Sequence, residues 1–258
     1  MILEKYIPGD VKNDAYTALE KMIRDIDKEK PYADMMRLRV SGQVSSACND
    51  VYYVAHELGR ALARHWNGWG KHPDAIGNWG NFYTDEQYRG QGIGGKLLQF
   101  WFEDFQTATD LPLCFLCSTG TRELASLYSR FGFRPAIEGT ECGPLYMPVG
   151  DSPASFREFC ATYYRPSAVL EHRPADVAYR HEIDCLLRFV YMDRDLQFGI
   201  KGLPGIEQAL LYYPNRCGML FSDDGHCVGW SFDGETQVHP LYIDSIIVGA
   251  HREYCSSP

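Results

Sequence analysis

The chain has 258 residues, 45% hydrophobic and 23% charged, ordinary values for a globular protein with room for one large domain or two small ones. Its net charge of −9 lacks the basic balance of a nucleic-acid surface and suits a small cationic amine as ligand. No N-terminal basic-plus-apolar signal and no apolar run long enough for a bilayer is present, so the expectation is a cytoplasmic protein with no membrane contact.

Apolar residues recur with helical period from Ala15 to Asp27, and Pro31 should end that helix. Asn49 to Glu57 and Arg60 to Trp69 read as strands around a Leu58-Gly59 break, and Ala75 to Thr84 as a third. A glycine-rich turn follows. A helix to about Thr107 then carries apolar residues at Leu97, Leu98, Phe100, Trp101 and Phe105. Pro112 to Ser118 is a further strand. It contains Cys114-x-x-Cys117, whose side chains would point to opposite faces, so neither a redox pair nor a metal site is expected. Nine cysteines, scattered and odd in number, read as reduced, mostly buried thiols. Arg122 to Phe131 should be a helix closed by Gly132, with one or two strands from Phe133 to Met147.

Asp151-Ser152-Pro153 and Arg165-Pro166-Ser167 flank a helix-like connector, and from Ala168 the pattern starts again. Val177 to Tyr191 and Ile206 to Tyr213 read as helices. Gly218 to Phe232 reads as a hairpin turning at Asp223-Asp224-Gly225, and Leu241 to Val248 as a buried strand. The division implied is a domain over 1–150 and a smaller α+β domain over 168–258. The apolar residues of that smaller part, Leu186, Leu187, Phe189, Val190, Leu210, Leu211, Ile246 and Ile247, need burial. The part should pack on the first domain, close one side of a substrate cleft or form a dimer contact.

The most informative stretch is Thr84-Asp-Glu-Gln-Tyr-Arg-Gly-Gln-Gly-Ile-Gly-Gly-Lys-Leu-Leu98. Gly90, Gly92, Gly94 and Gly95 allow close backbone approach to a ligand and φ values that a Cβ disfavours. A turn of this kind at a helix N-terminus gathers free N–H groups and the positive end of the helix dipole, which makes a phosphate or pyrophosphate site. A dinucleotide fingerprint over Gly90-x-Gly92-x-x-Gly95 would need an acidic residue about 20 positions on, ending the next strand. Asp110 precedes that strand, and Ser118 ends it. A phosphate-binding loop of the Gly-Lys-Ser/Thr type is absent.

Tyr88-Arg89-Gly90-Gln91-Gly92-Ile93-Gly94 resembles the acetyl-CoA loop of the GNAT family of N-acetyltransferases, Arg/Gln-x-x-Gly-x-Gly/Ala. Downstream, Leu124-Ala125-Ser126-Leu127-Tyr128-Ser129-Arg130-Phe131-Gly132-Phe133 resembles a second motif of that family. The resemblance covers about residues 50–147. It implies an α/β fold with a mixed central sheet and helices on both faces, acetyl-CoA as co-substrate and no metal. It assigns Arg89, Gly90, Gln91, Gly92, Ile93 and Gly94 to the pyrophosphate. Phe82, Tyr83, Thr84 and Ser118 join the cofactor-binding set, on strands that part from each other around the thioester arm. Tyr128 becomes the acid for the departing thiolate.

The same resemblance leaves the base open. Asn78, which cannot take a proton, stands where a glutamate is often found, and the candidates are Glu57, Asp85, Glu86, His65, His72 or a water chain. Trp66, Trp69, Trp79, Tyr52 and Tyr53 either line an amine pocket through cation–π contacts or are strand aromatics. The helix, helix, hairpin, strand order after residue 168 echoes the front half of such a domain. Gly249-Ala250-His251-Arg252 lacks the loop. The segment is therefore a degenerate second copy without a cofactor site, or an unrelated cap. The function implied is acetyl-CoA-dependent N-acetylation of a primary amine on a small cationic molecule by direct transfer. A non-catalytic acyl-CoA-binding or sensing protein is the alternative.

Overall fold

Residues 1–27, 33–166, 170–190 and 202–242 are described by a computed structural model of the chain. Strand β1 (Ile2–Tyr6) is followed by helix α1 (Asp14–Met22), where the Asn13 side chain accepts from the Ala15 N–H at 2.7 Å. The helix loosens into a π-turn over Ile23–Asp27, and helix α2 (Ala33–Val40) follows. The expected stop at Pro31 lies outside the described residues. Strands β2 (Cys48–Glu57) and β3 (Arg60–Gly70) form a hairpin. Leu58 and Gly59 both take positive φ, 49° and 70°, as a two-residue turn matched to strand twist requires. Strand β4 (Ile76–Thr84) leads into helix α3 (Ile93–Thr107), strand β5 (Cys114–Thr119) and helix α4 (Arg122–Ser129). Helix α4 stops two residues earlier than its apolar period suggests, and Gly132 at φ 98° turns the chain away. Strands β6 (Arg134–Pro135) and β7 (Gly143–Pro148) complete a seven-stranded mixed sheet of order β1-β2-β3-β4-β5-β7-β6.

One face of this sheet packs on α3 and α4 through Trp79, Trp101, Leu97, Leu98, Phe115 and Tyr128. The other face is divided. Its β1–β3 half packs on α1 and α2 through Tyr52, Val54 and Trp66. Its β4, β5 and β7 half packs on helix α5 (Phe156–Tyr163), which opens on a Ser155/Glu158 capping box, and on a second sheet.

After α5 come strand β8 (Leu170–Pro174), helix α6 (Arg180–Asp184), a π-turn over Cys185–Val190, helix α7 (Gly202–Tyr212), and strands β9 (Cys217–Ser222), β10 (Cys227–Phe232) and β11 (Glu235–Val238). These strands form the second sheet, antiparallel and in the order β11-β10-β9-β8. The path strand, helix, helix, then three antiparallel strands laid side by side is that of β1-α1-α2-β2-β3-β4. Even the π-turn after the first helix recurs. Tyr191 of the expected helix and residues 243–248 of the expected last strand lie outside the described residues, and Pro240–Tyr242 forms a 3₁₀ turn. Likewise Ser167, Ala168 and residues 249–252 are not among those described. The two sheets share a core in which Ile76, Cys114 and Leu116 meet Cys185, Leu220 and Val228.

Helix α6 docks through charges. Arg180, fully buried, holds Asp50 of β2 at 2.7 Å and Glu207 of α7 at 3.0 Å, and Glu207 is also gripped by Arg39 of α2 at 2.7 and 2.9 Å. The Glu182 carboxylate accepts the Ile76 backbone N–H at 2.7 Å, and Asp184 accepts from Asn78 Nδ2 at 2.8 Å. Burial pulls the Arg180 pKa down, and its two carboxylate partners more than offset that, so the net direction is upward. No helix among the described residues is long and apolar enough to cross a membrane.

Candidate functional site

Strands β4 and β5 run parallel and pair only at Ile76, Gly77 and Asn78, opposite Cys114, Phe115 and Leu116. Beyond Asn78 they part. The β5-facing backbone edge of Trp79–Thr84 has no strand partner, and residues from Gly80 onward become partly exposed. The parting is helped by a bulge: Trp66 pairs with Gly80 and Arg64 with Tyr83, so Asn81 and Phe82 together stand opposite the single residue His65, and Asn81 takes φ 51°. Ser118 sits exposed on the β5 side of the opening, paired only toward β7, opposite Pro144.

At the open end of β4 the chain makes a short 3₁₀ turn, Glu86–Tyr88, capped by Asp85, whose carboxylate accepts the Gln87 N–H at 3.1 Å. Gly90 and Gly92 then take φ 77° and 74°, and Gly92 is the N-cap of α3 in the left-handed region. The Lys96 N–H is the first to bond back, to the Gly92 carbonyl at 3.1 Å. The N–H groups of Ile93, Gly94 and Gly95 therefore have no partner within the helix. A Cβ at Gly90, Gly92 or Gly95 would meet nothing within 4 Å, so this surface is open to a ligand. At Gly94 the opposite holds: a Cβ would stand 2.8 Å from Phe82 Cζ and 2.8 Å from Thr84 Oγ1. The turn therefore packs directly on β4. Arg89 ties it down, donating from Nε to the Thr84 carbonyl at 3.2 Å and lying 5.6 Å from the Tyr83 ring centre. Gln91 donates to the Gln87 carbonyl at 3.3 Å.

Tyr128 of α4 lies on the same face. Its ring meets Trp79 edge-on at 4.5 Å and Phe82 at 6.2 Å. Burial pushes the phenol pKa up, with the Cys117 thiol adding to the shift, so the hydroxyl keeps its proton at neutral pH. Phe82, Tyr83, Thr84, Arg89, Gly94 and Tyr128 thus form one contiguous group, with the open glycine turn at one end. Ser118 stands on the other strand, β5, beyond the point where the two strands part.

The candidate bases fare differently. Glu57 pairs with the N-terminal amine at 2.8 Å, Asp85 with Arg60 at 2.8 Å, and Glu86 with Arg89 at 3.5 Å. His72 stacks on Tyr179 and faces Glu182 at 3.4 Å, in the seam between the two sheets. Asn78 is committed to Asp184. His65 is fully buried against Trp79 and Trp101. The aromatics Trp66, Trp69, Trp79, Tyr52 and Tyr53 are core residues rather than an exposed wall, and the cation over Trp66 is Arg39, at 4.6 Å. Cys114 and Cys117 fall in clusters on opposite faces of the sheet, and no metal-holding group of three or more His, Cys, Asp or Glu exists among the described residues.

Burial drives the His65 pKa from 6.5 to about 3, opposed slightly by the Gly80 backbone, and that of His239 to about 4. The unfolded chain takes up protons below its ordinary value while the native state does not. Stability is therefore full above about 6.5 and is lost as pH falls toward the folded values. At pH 5 the His65 contribution to that loss is about 2 kcal/mol. His72 works in reverse. Burial lowers its pKa, contact with Glu182 raises it more, and the stability it adds below its ordinary value is lost as pH rises through the raised one. The gap between urea midpoints at pH 7.5 and 5 should narrow in His65→Phe, with His239 still contributing the rest. An unchanged gap would remove His65 as the source.

The family model for the acetyltransferase (GNAT) domain matches residues 48–135. Among solved structures, the NatC complex bound to Gag peptide and CoA is 20% identical, covering 58% of this chain and 100% of that one at a TM-score of 0.40. A GNAT acetyltransferase from Brucella melitensis in complex with acetyl-CoA is 19% identical, covering 59% and 90% at 0.39. The Escherichia coli GNAT N-acetyltransferase YhbS in complex with CoA is 16% identical, covering 58% and 82% at 0.39. No curated protein sequence matches the chain. The span 48–135 runs from the first residue of β2 through the parted strands, the glycine turn and Tyr128 to the end of β6, and it is over that span that the chain matches the acetyltransferase (GNAT) domain.

Proposed function

We propose that the chain is an acetyl-CoA-dependent N-acetyltransferase that transfers directly to a primary amine on a small cationic molecule. The observation that supports this best is the open glycine turn at the head of α3, continuous with the parted edge of β4 and ending at the protonated Tyr128. The free N–H groups of Ile93, Gly94 and Gly95 and the Arg89 guanidinium suit a pyrophosphate. The unpaired backbone of Phe82, Tyr83 and Thr84, with Ser118 opposite, suits an amide-bearing arm that completes the interrupted sheet. Acetyl-CoA supplies the acyl group as a thioester. The Tyr128 phenol holds the proton that the departing thiolate takes. The net charge of −9 favours a cationic acceptor.

The segment from 168 onward is, on this reading, a degenerate half-copy with no second cofactor site. Its helix α6 seals the far side of β4. A second reading, acyl-CoA binding without transfer, draws support from Asn78, a carboxamide that cannot take a proton and is held by Asp184, and from the burial of His65, which keeps it from acting as a base. Thiol release from acetyl-CoA, followed across a panel of polyamines, aminoglycosides and amino-acid amines, separates the two. Amine-dependent release supports transfer. Tight acetyl-CoA binding with no release across the panel supports the second reading.

The turn itself gives a sharper expectation. Gly92→Val forces a β-branched residue to φ 74°, and Gly94→Val drives a side chain into Phe82 and Thr84. Both variants should lose the rise in Tm that acetyl-CoA gives the wild type, while α3 remains folded by far-UV circular dichroism. A full Tm rise in both would place the cofactor elsewhere.

A further inference from the structure

At the end of the main sheet remote from the glycine turn, a cavity of about 550 Å³ opens along the seam with the second sheet. It reaches Leu113, just before β5, roughly 16 Å along the strand direction from Ser118, so it is separate from the parted strands. Most of its wall is apolar: Leu111 and Leu113 ahead of β5, Val149 and Pro153 after β7, and Phe159 and Tyr163 of α5. The charged part of the wall has one sign. Asp74 and Asp151 line the cavity and no lysine or arginine does. Asp151 has no hydrogen-bond or ion-pair partner among the described residues.

The group that points to a ligand is His226, on the turn between β9 and β10. Its ring lies flat on that of Tyr163, with 4.0 Å between centres and 11° between planes. Its Nδ1 stands 2.6 Å from the Tyr163 carbonyl oxygen. A carbonyl only accepts, so the hydrogen sits on Nδ1, and in the neutral ring Nε2 presents a bare lone pair. Across from it, at 3.9 Å, is the Oδ2 of Asp74. That separation is too long for a hydrogen bond, and both atoms are acceptors. Neither has another partner among the described residues. The His226 side chain is 17% exposed and that of Asp74 56%, so the pair is open to a ligand rather than sealed. One donor group between them would serve both. An ammonium does so with three N–H bonds and a charge opposite to that of the two carboxylates. The apolar wall asks for a hydrocarbon body on the same molecule. We infer that this cavity binds a small organic cation, a primary ammonium carried on a short aromatic body, at a place apart from the one where transfer is proposed. The ammonium bridges Asp74 and His226 Nε2, and the body lies against Leu113, Pro153 and Phe159.

Phenethylamine is the probe, added to the isotope-labelled full chain and followed by NMR at the His226 Cε1–H signal, which is identified by its absence from His226→Phe. A readout at this residue ignores any amine bound elsewhere. The signal should shift saturably, and equally in the presence of excess CoA, which has no acetyl group to transfer. Phenethyl alcohol has the same shape without the charge, and phenylacetate has the opposite charge, so neither should reproduce the shift at the same concentration. Asp74→Asn keeps the turn, because asparagine tolerates the φ of 56° found there. It should weaken phenethylamine binding about fivefold or more, the scale of a half-exposed charged hydrogen bond. Absence of a saturable shift, an equal response to the alcohol, displacement by CoA, or unaltered affinity in Asp74→Asn would overturn the inference.

Discussion

Arg180→Met should lower the unfolding free energy by about 3–5 kcal/mol, a large share of the stability of an ordinary domain. The methionine fills much of the space but leaves Asp50 buried with only the Trp66 indole N–H, at 2.7 Å, to hold it. Glu207 keeps Arg39. The loss therefore falls mainly on one uncompensated carboxylate, and Asp50→Asn in the same chain should recover part of it, since the two changes act on one network. Urea unfolding of the single and double variants measures both terms. A single-variant loss below about 1 kcal/mol, or strict additivity, would mean that the charges on α6 do not weld the two sheets together. The same contacts bear on cutting the chain near Pro166. Removal of α6 would strip partners from Asp50, Asn78 and the Ile76 N–H at once. The first 166 residues should therefore be less stable as well as more exposed.

Tyr128→Phe should reduce turnover by about 10²-fold or more with little change in acetyl-CoA affinity. The ring contacts with Trp79 and Phe82 survive the substitution, and the hydroxyl has no hydrogen-bond partner among the described residues, so the fold loses nothing by its removal. Burial already holds the phenol in its protonated form, the state a proton donor needs. Steady-state rates with a saturating amine give the answer. Turnover within threefold or so of wild type would reduce Tyr128 to packing.

The main helices and strands around the site were legible because each carries a regular period or a turn signal of its own. The Leu58-Gly59 hairpin, the Gly92 helix start and the opposite-facing Cys114 and Cys117 all follow from local rules. Other features depend on distant residues and were not legible. Arg180-His181-Glu182-Ile183-Asp184 falls within the expected helix Val177 to Tyr191, but nothing local marks its charges as buried; all five residues are, because Asp50, Glu207, Asn78 and the Ile76 N–H lie elsewhere in the chain and meet them only on folding. Strands β1, β8 and β11 and helix α2 are short and weakly periodic, and three of them sit at sheet edges where pairing rather than pattern defines them. The bulge at Asn81, which helps part β4 from β5, leaves no mark in composition.

Calorimetric titration of the full chain with acetyl-CoA tests the central claim most directly. One acetyl-CoA per chain should bind, and Gly92→Val should abolish the heat of binding while wild-type secondary structure persists. Absence of binding to the wild type, undiminished binding to Gly92→Val, or a stoichiometry of two per chain would contradict the account.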